Sequence, residues 1–182
     1  RNDAGGRRKL SRDLLLWITW YMGRLKHHVQ KRVYDLLREK FPPIQLPCTV
    51  MHVRRSDAGL PRYPFRRYAA VKEYIEKGNI TTGENVVLLS DDQSTIDEAL
   101  RFHNHINWLY VDRPRQMGAN GGFDGHIPSN DPAYDMIMIL AELKYASSCT
   151  KLVHGDSGFV QQIEQALQHA GTQYSTYKVK TS

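Results

Sequence analysis

Four short apolar runs, at 46–53, 85–89, 107–111 and 151–153, are each too brief for a helix, and three of them break off into polar or glycine-containing residues. Between them lie stretches with apolar side chains every third or fourth residue, at 65–77, 95–103, 132–147 and about 159–170. That spacing is the mark of a helix buried along one face. A further alternating run, 173–179 with Tyr174 and Tyr177, reads as a last strand. Strand alternating with helix predicts an α/β chain with a doubly wound, Rossmann-like parallel sheet. Ligands of such sheets sit in the crevice outside the carboxyl ends of the strands.

Ahead of the sheet, Leu14, Trp17, Tyr21, Leu25, Val29, Val33 and Leu36 recur at helical steps. They predict an amphipathic helix over 11–40, whole or broken near Gly23, stopped by Phe41-Pro42-Pro43 because a residue before proline is pushed out of helical geometry. The expected organisation is therefore a helical segment at 1–45 packed on a domain at 46–182. The chain of 182 residues is 41% hydrophobic and 24% charged, which fits one globular domain. Its longest apolar run, 14–18, is too short to span a bilayer, and it opens without a signal-peptide pattern or an initiator Met, so it reads as a piece of a longer protein with any anchor elsewhere.

The net charge of +6 is concentrated: residues 1–40 hold 11 Lys/Arg against 4 Asp/Glu, and the remainder 14 against 15. A solvated basic helix face accounts for this more simply than nucleic acid, since no aromatic-interleaved RNA motif or zinc-finger spacing accompanies it. Cys48 and Cys149 are too few for a disulfide scaffold or a zinc site; small buried hydrophobes are the expected reading and one disulfide the alternative. Asn79-Ile80-Thr81 is a glycosylation sequon in an expected loop.

The chemistry collects where strands end. After the first run stand His52-Val53-Arg54-Arg55-Ser56-Asp57. Residues two apart on a strand face the same way, so His52 and Arg54 share one crevice while Arg55 faces elsewhere. A guanidinium stays charged and offers a fork of donors that fits a phosphate, which suits Arg54 to a diphosphate. Arg55 has a plainer reading, clamping the strand end against Asp57 or Asp92. After the second run come Ser90-Asp91-Asp92, with Asp92 or Ser94 as a helix cap. After the fourth come His154-Gly155-Asp156-Ser157-Gly158, where backbone N–H groups and a hydroxyl meet a helix start and form an anion site, or a simple N-cap. Gly-x-Ser-x-Gly, the Walker loop and Gly-x-Gly-x-x-Gly are all absent. The long loop 112–130 is expected to be functional or mobile.

With those residues in view, Met51-His52-Val53-Arg54-Arg55-Ser56-Asp57 resembles the His-Val-Arg-Arg-Thr-Asp signature of the α1,6-fucosyltransferases and related nodulation fucosyltransferases. Val87-Leu88-Leu89-Ser90-Asp91-Asp92 is similar to that family's second motif, and Glu142 and the 151–158 stretch fall where the family has an acidic helix residue and a serine-bearing turn. The resemblance covers roughly residues 10–170. It implies GDP-fucose as donor, a glycan acceptor, the nucleotide-binding half of a two-lobed GT-B-type enzyme with its acceptor lobe missing here, inversion at the sugar, no metal and no cofactor. It also implies a Golgi or secretory location in a eukaryote and a cytoplasmic one in a bacterium.

Carried over by position, His52 and Glu142 contact guanine, Arg54 holds the diphosphate and steadies departing GDP, and Ser157 and Gly158 meet the phosphates. Arg55, Asp57, Asp91 and Asp92 shape the surroundings of the fucose and pyrophosphate. The chain departs from the family at Ala58, where a lysine is usual, and it lacks a glutamate in 58–63 to serve as general base. Glu142 stands for the family's Asp. Asp57, or an acid from a missing lobe, is then the candidate base, and two other readings stay open: a catalytically inactive nucleotide-sugar-binding module, and a basic nucleic-acid-binding domain.

Overall fold

A computed structural model describes residues 24–55, 67–115 and 131–181. Among them the elements run α1 (His27–Lys40), β1 (Cys48–Val53), α2 (Val71–Lys77), β2 (Asn85–Ser90), α3 (Gln93–Phe102), β3 (Asn107–Leu109), α4 (Pro132–Ala146), β4 (Lys151–His154), α5 (Phe159–His169) and β5 (Ser175–Lys178). The strands form one five-stranded sheet in the order β3-β2-β1-β4-β5. Every pairing is parallel, so the α/β reading holds and the sheet is of the Rossmann-like kind.

The central strands are apolar throughout because they are covered on both sides. Met51, Val53, Val86 and Leu88 pack with Val71, Tyr74, Ile96 and Ala99 of α2 and α3. Cys48, Val50, Val87 and Leu89 point the other way, to Tyr145, Ala146, Val160 and Ile163 of α4 and α5. Strand parity thus assigns each β1 side chain to a face, and His52 and Arg54 fall with Val50 on the α4/α5 side. A third cluster joins Val33 and Leu36 of α1 to Ile137, Met138 and Ala141 of α4.

Two helix starts follow the expected caps, whereas the helix expected over 65–77 begins only at Val71, after an extended Ala70. Asp131 accepts a hydrogen bond from the Tyr134 N–H (2.9 Å) and Pro132 occupies the first turn of α4, where its missing donor costs nothing. Asp92 caps α3 through the Ser94 N–H at 2.8 Å. Another expectation needs correction: helix 11–40 as a single unit fails, because Lys26 is extended and α1 begins only at His27. Residues 24–26 are outside the helix, and 11–23 lie outside the described residues.

The cysteines also overturn their expected reading. Cys48 and Cys149 are bonded to each other, with Cα atoms 4.7 Å apart across a sequence separation of 101. The cause is topological. Cys48 opens β1 and Cys149 sits just before β4, and the two strands are paired with Thr49 opposite Lys151. Closing a loop of about 100 residues removes chain entropy worth about 4.7 kcal/mol in the unfolded state.

Candidate functional site at the strand ends

Strand order reverses direction between β1 and β4, so the carboxyl ends of these two strands bound the crevice in which open α/β sheets bind ligands. His52 lies opposite His154 in the ladder. Its ring is 6% exposed and tilts against Phe159, the first residue of α5, at 5.5 Å between centroids. Burial, then the neighbouring His154 and Arg54, push its pKa down from 6.5 to about 3. It is a neutral imidazole, and its Nδ1 is buried without a hydrogen-bond partner among the described residues. A buried polar atom left unpaired costs about 1–3 kcal/mol, which is tolerated most readily where a ligand completes it.

Arg54 follows on the same face, half-buried at the end of β1. Across from it, the turn after β4 brings a donor group of its own. The N–H groups of Ser157 and Gly158 meet no acceptor among the described residues, and the Ser157 hydroxyl accepts from the Phe159 N–H at 3.2 Å. Nothing would crowd even a Cβ at Gly158, so the backbone there is open to close approach. Below the turn the packing is the reverse. A Cβ at Gly155 would meet the Tyr74 hydroxyl at 2.6 Å and Thr181 at 3.0 Å, and Thr181 Oγ1 accepts from the Asp156 N–H at 2.9 Å. The Tyr74 hydroxyl is itself buried and unpaired, with its pKa raised to about 12, chiefly by burial. Lys178 pairs with the Asp156 carboxylate at 2.5 Å, offsetting a negative charge that would oppose an anion on this turn.

The other expected site residues part company here. Arg55 is turned to the opposite face, as its parity requires. Its guanidinium forms an ion pair with Glu98 and donates to the Ala69 carbonyl at 3.0 Å, while its own N–H donates to Asp91 Oδ1 at 3.1 Å. Glu98 also accepts from the Val71 N–H at 2.7 Å, so the pair fastens the start of α2 to the end of β1. The clamp anticipated for Arg55 exists, made among the described residues with Glu98. Asp92 is 1% exposed and committed to its cap. Glu142 is 5% exposed on α4 and is held by Arg113. Asp57 and Ala58 lie outside the described residues.

Sequence reasoning passed over Arg113 and Arg115, which stand in a proline-containing stretch without periodicity. Arg115 donates to the carbonyls of Ser90 (3.1 Å), Arg113 (3.2 Å) and Val111 (2.8 Å). Burial and the nearby Arg113 guanidinium lower its pKa. Two arginines four and six residues beyond the end of β3 were the available signal. A concavity of about 750 Å³ along α1, beside His27, Tyr34 and Arg38, gathers no comparable set of groups among the described residues. Among the described residues no group of His, Cys, Asp and Glu is arranged to hold a metal ion.

Taken as chemistry, these strand ends gather a neutral imidazole whose buried Nδ1 is unpaired, a guanidinium, and backbone donors at a helix start. That set suits an anionic ligand with a polar heterocycle attached. No protein-family model matches the chain, and no curated protein matches it in sequence.

Proposed function

We propose that the chain is the donor-binding half of a glycosyltransferase that takes GDP-fucose and delivers fucose, with inversion, to a hydroxyl of a glycan. The observation that carries the reading is the meeting of Arg54, the unpaired Nδ1 of His52 and the Ser157–Gly158 donors at one switch point, on residues that resemble the fucosyltransferase motifs. GT-B architecture and the acceptor lobe belong to this proposal.

In such a transfer the acceptor oxygen forms a bond to the anomeric carbon while the bond from that carbon to the diphosphate breaks, and the electron pair leaves with GDP. Negative charge therefore grows on the diphosphate. Arg54 and the preorganised N–H donors of the 157–158 turn meet that charge where it develops, the arrangement that lowers such a barrier most. The acceptor's proton passes to a base, for which Asp57 is the candidate in this sequence. His52 and Glu142 address the guanine. The lumen of the secretory pathway fits best, because the Cys48–Cys149 bridge favours an oxidising compartment and Asn79 of the sequon is exposed.

Adding GDP-fucose or GDP should raise the melting temperature of the purified chain, since a ligand at a hundred times its dissociation constant adds about 2.7 kcal/mol to stability. Arg54→Ala should weaken that binding on the order of 50-fold, the loss of about 2.3 kcal/mol of charge-assisted contact. An unshifted melting curve at millimolar ligand would sink the proposal. Binding without turnover on any offered glycan would leave the inactive binding module in its place.

A further inference from the structure

Beyond β3 the chain returns to the strand ends with Asp112-Arg113-Pro114-Arg115. Arg113 reaches α4 and takes both oxygens of Glu142, its Nε donating to Oε1 at 2.9 Å and a terminal nitrogen to Oε2 at 3.4 Å. The Glu142 side chain is 6% exposed and that of Arg113 28%. Glu142 stands four residues after Met138 and three before Tyr145, on the buried stripe of α4, which covers the sheet face that carries His52 and Arg54. The backbone of Arg113 is fixed in turn, because Arg115 ties its carbonyl to those of Ser90 and Val111 at the ends of β2 and β3.

We infer that Arg113 is a positioning residue for base recognition, holding the Glu142 carboxylate as an acceptor for a heterocycle edge with two adjacent donors. This rests on the nucleotide-sugar reading of the site. A carboxylate has about four lone-pair positions, of which the arginine fork occupies about two. The other two can accept only from donors, never donate. The N1–H and 2-amino group of guanine present two donors side by side, hypoxanthine presents one, and the corresponding edge of adenine places an acceptor there. Without its fork the carboxylate would be a buried charge lacking its counter-ion, free to turn toward whatever donor it could reach. Selectivity for guanine is then a property of the pair, and Arg113 supplies it without touching the ligand.

The test is titration calorimetry of GDP, IDP and ADP against the full chain in four forms: wild type, Arg113→Met, Arg113→Lys and Glu142→Gln. Wild type should prefer GDP to IDP at least on the order of tenfold, about 1.4 kcal/mol, for one hydrogen bond to a charged acceptor. Arg113→Met and Glu142→Gln should bring that ratio to about two or less. Arg113→Lys should restore part of it, because an ammonium keeps the charge but gives up the planar fork. Equal binding of GDP and IDP by wild type would overturn the inference, as would an unchanged ratio in a cooperatively melting Arg113→Met. Should that variant fail to fold, an unchanged ratio in both Arg113→Lys and Glu142→Gln would overturn it instead. A wild type that binds no diphosphate at all removes the donor-binding reading and the inference with it; guanine binding with a ratio indifferent to these substitutions removes the inference alone.

Discussion

The two ends of the sheet are built on opposite rules. At the amino ends of β1 and β4, every group named is joined to another: Cys48 to Cys149, and Glu84 to the Thr49 hydroxyl at 2.5 Å and to Lys151 at 2.9 Å. Glu84 also accepts from the Thr81 N–H at 3.2 Å, and these contacts together hold its pKa down against its burial. At the carboxyl ends of the same strands, His52 Nδ1 and the Ser157 and Gly158 N–H groups are left without partners among the described residues. A parallel sheet makes this division possible. Its strands run the same way, so one edge can hold the structure closed while the other is kept available for a ligand. Arg55 is the exception that marks the boundary, a carboxyl-end residue assigned by its parity to the holding function.

The largest effect should come from the closed edge. Replacing both cysteines, Cys48→Ala with Cys149→Ala, should lower stability by about 4–5 kcal/mol in urea titrations, the entropy of a loop of about 100 residues. Nucleotide binding by the folded fraction should survive at low temperature. If binding disappears while the fold persists, the two ends are not separable.

Arg55→Met should cost about 3 kcal/mol, because Glu98 keeps its burial and loses its counter-ion. The same chemical denaturation reads it, and the contrast with Arg54→Ala sharpens the boundary. The neighbour at 54 should change ligand affinity far more than stability, and the neighbour at 55 the reverse. Similar behaviour from both arginines would erase the distinction that strand parity draws.

A smaller effect should appear with pH. Folded His52 stays neutral down to about 3, whereas in the unfolded chain it takes up a proton below 6.5. The unfolded state therefore binds more protons in that window. The stability tied to this residue is fully present above pH 6.5 and is lost progressively as the pH falls toward 3. Between pH 7 and pH 5 the loss is about 2 kcal/mol. Wild type should accordingly lose about that much more than His52→Leu over the same interval, measured by urea unfolding at the two pH values. Equal losses would mean that the imidazole is not held neutral.

Much of this layout could be read before any coordinates. Val50, Val86, Val87 and Leu152 belong to runs whose length and apolarity leave little but buried strands, and Asp131-Pro132 marks a helix start in two letters. The division of His52 and Arg54 from Arg55 follows from alternation alone. What stayed hidden depends on distance in space. Glu98 is one of two adjacent acids on an amphipathic helix, and nothing local singles it out as the partner of Arg55. Arg113 finds Glu142 across 29 residues, part of them in a loop without period. The disulfide was within reach of a topological argument, since a doubly wound sheet places β4 beside β1 and so brings the residues before each strand together. Composition alone pointed the other way.

Gly155 has a further consequence. The turn above it is bare toward the crevice, but its underside rests directly on the Tyr74 hydroxyl and Thr181, with no room for even one methyl group. Mechanically this is an anvil. If the donor-binding proposal holds, a diphosphate on the 157–158 amides would rest on a turn already packed from beneath, so fitting between protein and ligand would fall to the parts that approach from above.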